Sequence, residues 1–108
     1  MSRESVRVDR WPEDRAPAES TIRHLMAGEG LQPYRWSNSP GDSYSAHIHA
    51  YHKVLYVVEG SITLGLPDEE KRVTLQPGDR LDLPAHTLHD AAVGPGGVVC
   101  LEAQRGDV

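Results

Sequence analysis

An all-β domain, either a sandwich or a small barrel, is predicted by three features of this sequence. From Gly30 onward, short apolar and β-branched stretches follow one another at close intervals. Between them lie the breakers SPGD, EG, GLPDEE, QPGD, LPAH and GPGG. No stretch of helical periodicity separates one strand from the next, which argues against a parallel α/β arrangement. The chain has 108 residues, the size of one domain with one core.

Residues 1–19 hold Pro12, Pro17, several charges and few large apolar groups, so an extended or loosely draped arm is expected there. Residues 19–30 place Ile22, Leu25 and Met26 at helical spacing, and Gly28 and Gly30 act as stop signals. One short helix is predicted, with His24 on its solvated side. Strands are predicted at residues 34–36, 44–49, 53–58, 61–64, 71–75, 80–83, 88–93 and 98–101. In KVLYVV, Lys53, Leu55 and Val57 share one face, and Val54, Tyr56 and Val58 share the other. Both faces are apolar, so the outer one needs a cover: the arm, a second sheet or another copy of the chain. A homodimer is expected on this ground.

Lysine and arginine number 11 against 16 aspartates and glutamates, a formal charge of −5. The arginines are scattered and form no basic stripe, which argues against nucleic acid as a partner. No run approaches the ~20 apolar residues that span a bilayer. The start, MSRESVRVDR, lacks the apolar stretch of a secretory signal. Cys100 is the single cysteine, so no internal disulfide can form and a reducing, cytoplasmic setting is expected. After two valines, Cys100 reads as a small buried hydrophobe. Tyr34 and Trp36 read as core aromatics.

Six histidines are present, and His47, His49 and His52 fall within six positions. A lone strand histidine is ordinarily a surface group or a satisfied core residue. His47 and His49, two apart on a strand, project from one face, with α-carbons roughly 7 Å apart. Both could grip one ion at about 2 Å from each ring nitrogen. A third ligand must come from elsewhere, and His89 is the best candidate, with Ala91 and Val93 on its own face. Asp90 beside it has the wrong parity to orient an imidazole.

Residues 41–60 resemble the first cupin motif, G(X)5HXH(X)3-4E(X)6G, through Gly41, His47, His49 and Gly60. Residues 78–93 resemble the second, G(X)5PXG(X)2H(X)3N, through Gly78, Pro84 and His89. The resemblance implies a double-stranded β-helix, a jelly-roll cupin barrel, whose interior histidines hold a divalent transition metal. It divides the chain into an arm and helix over residues 1–33 and a barrel domain over residues 34–104. Three positions depart from the pattern. Lys53 stands where the family has a metal-binding glutamate, His86 where it has glycine, and Val93 where it has asparagine. The glycine position lies in a tight turn, so His86 is expected to adopt a left-handed backbone, as turn filler or as a side chain aimed at the barrel mouth.

Lys53 decides how the site works, because a protonated lysine aimed at a divalent ion would repel it strongly. In one arrangement His47, His49 and His89 keep an ion of iron, zinc, nickel, manganese or copper. Lys53 then gives up its proton under burial and the nearby cation, bends aside, or is balanced by an anionic ligand or by a carboxylate such as Asp82 or Glu102. In another, His52 supplies the fourth ligand through a bulge and Lys53 faces away. In the third, no metal binds, and the histidines with Lys53 line an acid–base or anion pocket. A lysine snorkelling into water is compatible with the first. His52 and His86 stand as additional site candidates, and Tyr51 as a rim residue.

The leading expectation is a metal-dependent enzyme of oxygenase, isomerase or lyase type acting on a small, anionic molecule, with Lys53 as its anion anchor. The alternatives are a non-catalytic ligand-binding or sensing module and a metal-free acid–base enzyme.

Overall fold

The computed structural model describes residues 5–105; residues 1–4 of the predicted arm lie outside that span. In chain order the elements are β1 (Arg7–Asp9), α1 (Glu19–Gly28), β2 (Tyr34–Asn38), β3 (Ser43–His47), β4 (His52–Leu66), a 3-10 turn at Pro67–Glu69, β5 (Lys71–Leu75), β6 (Arg80–Leu83) and β7 (His89–Arg105). All strand pairs are antiparallel. The order is β1-β6-β4-β7-β2, with β3 added to β7 and β5 added to β4.

The two long strands make the barrel. β4 pairs with β6 along its first half and with β5 along its second. β7 pairs with β3 along its first half and with β2 along its second. Leu55 and Val57 from one end of β4 share a single core with Ile62, Leu64 and Leu66 from the other. The sheet therefore folds back on itself, and its inner face becomes a jelly-roll core.

The predicted breaks at EG and GPGG are bends within continuous strands. Gly60 pairs with Val98 and Ile62 with Val93, so residues 94–97 bulge opposite Ser61. Gly60 has φ +76°, and a Cβ there would sit 1.9 Å from the Gly97 carbonyl oxygen. Only glycine allows the two backbones to cross so closely. β3 is also shorter than predicted. Its register shifts between Tyr44 and His47, and it ends at His47 instead of residue 49.

The outer face of β4 is covered from within the chain. Ile22, Met26 and Leu31 pack on Val54, Tyr56, Val58, Leu101 and Ala103. Burying Ile22 and Met26 contributes about 2 kcal/mol each. Leu25, read as part of that apolar stripe, is 42% exposed, and His24 is exposed as expected. Helix α1 stops in a Schellman motif: the Leu31 N–H donates to the Met26 carbonyl and the Gly30 N–H to Ala27, both at 3.0 Å. Gly30 takes φ +76° there, and Leu31 folds back against Met26.

The arm is more than a drape. Its Arg7–Asp9 segment pairs with β6 as an edge strand, and Val6 and Val8 pack on the barrel core. The buried Asp79 carboxylate then clamps it, accepting from the Trp11 N–H (3.0 Å), the Gln76 N–H (2.9 Å) and Arg10 Nη1 (2.8 Å). No helix among the described residues is long and apolar enough to cross a membrane.

Candidate metal centre

Strand parity sorts the chemistry-bearing residues into two sets. On β7, His89, Ala91, Val93, Val98 and Cys100 face inward into the barrel core or its cavity, and Glu102 faces the same cavity. On β4, Lys53 lines that cavity beside the inward Leu55. His52, of opposite parity, projects outward, and its Nε2 lies 3.2 Å from Asp82 Oδ1 on the outer face of β6. The arrangement with His52 as a ligand and Lys53 turned away is therefore not the one adopted. Asp82 is likewise unable to balance Lys53. It is engaged by Arg80 Nε at 2.8 Å, which in turn ion-pairs with Glu29 at the end of α1. Burial alone would raise the Asp82 carboxyl, but Arg80 and His52 together hold it below the usual aspartate value.

His47, His49 and His89 meet. One ring nitrogen from each lies within 4.8 Å of the others, and the ring centroids are 4.4 to 5.3 Å apart. His47 Nδ1 lies 2.7 Å from the Ser45 carbonyl and His89 Nδ1 lies 2.9 Å from the Thr87 carbonyl. A carbonyl only accepts, so both Nδ1 atoms carry the proton and both Nε2 atoms present a lone pair. His47 Nε2 faces His49 Nε2 at 3.1 Å, which makes His49 the donor of that contact. His89 is 2% exposed and its Nε2 is buried without a hydrogen-bond partner among the described residues. Burial lowers the pKa of His89 despite its bond to Thr87, and Lys53 adds to the effect. Burial lowers His49 too, followed by the Lys53 charge. Both rings are thus kept neutral, the form that binds metal.

Three converging imidazoles, two of them oriented by backbone carbonyls and the third, His49, able to bind once its shared proton is given up, fit a divalent transition metal. The orphaned His89 Nε2 is the observation that tests the fit, because a buried ring nitrogen without a partner ordinarily costs about 1–3 kcal/mol. The rings open onto a cavity of about 350 Å³, also lined by Tyr51, Lys53, Leu83 and Glu102. Tyr51 stacks on His49 with centroids 4.9 Å apart.

His86 does take the left-handed conformation, φ 64°, and its side chain is exposed. It is turn filler here. Its backbone N–H donates to the His49 carbonyl at 2.7 Å, tying the turn before His89 to the segment that carries the other two rings. Asp90 faces outward over Gly65.

The residue that sequence reading left undecided is Glu102. It is 4% exposed and accepts from Tyr34 Oη at 2.7 Å and from Trp36 Nε1 at 3.1 Å. Lys53 Nζ lies 3.6 Å from its Oε1. Tyr34 is consequently no core residue: it is 53% exposed, with its hydroxyl turned in to Glu102. A carboxylate in phase with Val98 and Cys100 on an inward strand face was the available signal. Cys100 is fully buried, and burial lifts its thiol to about 12.

The family model for the cupin domain matches residues 34–102. KdgF from Halomonas sp. is 31% identical, covering 71% of this chain and 71% of its own, with a TM-score of 0.55. A cupin superfamily protein from Desulfitobacterium hafniense DCB-2 is 20% identical, covering 99% of this chain and 84% of its own, with a TM-score of 0.61. A DUF861 family protein from Thermotoga maritima is 14% identical, covering 94% of this chain and all of its own, with a TM-score of 0.64. The last two are likenesses of fold. No curated protein matches the chain. With the family model spanning most of the sequence and the jelly-roll barrel built around its two histidine motifs, this chain belongs to the cupin family.

Proposed function

We propose that this cupin binds a divalent transition metal through His47, His49 and His89 and works on a small molecule that carries an acid group. The observation that carries the reading is the convergence of three ring nitrogens within 4.8 Å, one of them buried and unpartnered. Bound there, a metal would supply Lewis-acid or redox chemistry with coordination positions left over for a ligand. The chain's own residues do the rest. Lys53 has one ion pair among the described residues, a long one to Glu102, and it lines the cavity. An ammonium so placed recognises a carboxylate or a similar oxyanion. Tyr51 and the aliphatic side chains of Leu55, Leu64 and Leu83 line the cavity beside the rings. A cavity of about 350 Å³ admits a small metabolite.

The test is the metal content of the purified and reconstituted protein, with His47→Ala and His89→Ala as controls. One equivalent of metal, lost in both variants, is the expected result. Protein that stays metal-free after reconstitution would overturn the reading and leave a metal-free acid–base enzyme or a non-catalytic ligand-binding module.

A further inference from the structure

We propose that Glu102 is a positioning residue whose carboxylate cancels the Lys53 charge beside the three histidines, so that these rings can accept a cation. The inference rests on the metal-binding reading above and names the residue that makes it compatible with a lysine in the family's glutamate position.

Three observations support it. Lys53 lines the same cavity as His47, His49 and His89, so its charge lies beside the point on which the three rings converge. A lysine charge there opposes a divalent ion with twice the Coulomb energy it sets against a monovalent one at equal distance. Second, the Glu102 carboxylate is built into place. Tyr34 Oη donates to one oxygen at 2.7 Å, and Trp36 Nε1 donates to the other at 3.1 Å. Lys53 Nζ approaches the Trp36-bound oxygen at 3.6 Å. Both partners are largely out of water, with side chains 15% and 6% exposed, so solvent screens the pair little. Third, Glu102 is not among the groups whose donor atoms converge with the histidine nitrogens. Its influence on the centre is therefore electrostatic, opposing the Lys53 charge, and not coordination.

Two edge-strand aromatics thus acquire a task. Tyr34 and Trp36 sit on β2, in register with Glu102 and Cys100 of β7. From there they hold the carboxylate toward the lysine.

The experiment is calorimetric titration of Zn2+ into the wild type, Lys53→Met, Glu102→Gln and the double variant, with thermal unfolding run on each. Glu102→Gln leaves Lys53 uncompensated and is expected to weaken Zn2+ binding about tenfold or more. Lys53→Met leaves the Glu102 charge without its counter-ion and is expected to tighten binding by a similar factor. The double variant, neutral again, is expected within about threefold of the wild type. The return follows because the pair carries no net charge in either protein, and a double variant that stays as weak as Glu102→Gln would show a structural role for Glu102 and overturn the proposal. A folded Glu102→Gln protein with wild-type affinity would overturn the proposal. Should Glu102→Gln fail to fold, Lys53→Met decides alone, and affinity that does not rise overturns it. A wild type that binds no Zn2+ overturns the metal reading and this inference together; the other failures leave the metal reading standing.

Discussion

Lys53 of β4 and Glu102 of β7 are diagonal neighbours on the inner face of adjacent antiparallel strands, joined at 3.6 Å. In register, Lys53 pairs with Gln104 and Leu55 pairs with Glu102. The carboxylate that the cupin pattern places at position 53 is thus present one diagonal step away, and a lysine occupies its place. Diagonal pairs at this spacing are within reach of long side chains.

Lys53→Glu restores the family's ligand type at the cost of setting two carboxylates side by side. Without metal the variant is expected to lose about 2–4 kcal/mol, since it replaces a buried ion pair with repulsion. With Zn2+ it is expected to recover more stability than the wild type gains. Differential scanning fluorimetry with and without Zn2+ checks both arms, and an unchanged metal-induced shift would place position 53 beyond reach of the ion.

His89→Leu fills the same buried position without a ring. The substitution removes an unpartnered Nε2 and one hydrogen bond to Thr87, so metal-free stability is expected within about 1 kcal/mol of wild type. The stabilisation by Zn2+ should vanish. A variant that still gains thermal stability from Zn2+ would remove His89 from the centre.

Asp79 makes the arm sensitive to acid. Burial raises its carboxyl, but the Gln76 and Trp11 N–H groups and then Arg10 outweigh it and hold the folded pKa below the usual value. The unfolded chain therefore binds this proton more readily. The stability it contributes is complete above about pH 4 and is lost as the pH falls through the lower folded value. Asp79→Asn is expected to cost about 2 kcal/mol at neutral pH. The gap between the two proteins, followed by urea unfolding, should narrow below about pH 4. A gap of constant size across that range would assign the effect to packing.

Gly60→Ala is expected to cost more than about 3 kcal/mol or to prevent folding, since both its φ and the Gly97 carbonyl forbid a Cβ. Gly41→Ala is the control. Its φ is +80° but nothing lies within 4 Å of the added atom, so about 1 kcal/mol is expected. Equal unfolding midpoints for the two variants would show that the β4–β7 crossing is not close-packed in solution.

Much of the site was legible because side-chain parity is a local property. His47, His49 and His89 could be brought together from their spacing and the apolar phase of their strands. His52 could be doubted as a ligand because it adjoins Lys53. The left-handed turn at His86 followed from the residue type its place demands. What escaped was pairing across strands. EG and GPGG read as turns, because glycine marks turns and bulges alike, and only the register of β4 against β7 separates the two. Tyr34 read as core because nothing nearby in sequence reveals a carboxylate 68 positions on.

The sequence of short apolar stretches and breakers determined an all-β chain, strand parity the inward set of histidines, and two apolar faces on residues 53–58 the need to cover the outer face of β4. The tertiary structure alone decided that α1 provides that cover, that Asp82 is engaged on the outside, and that Glu102 faces Lys53 within. The reason is physical. Which face a side chain takes is set every two residues by the backbone, whereas its neighbour on the next strand depends on register, and here bulges far along the chain fix the register.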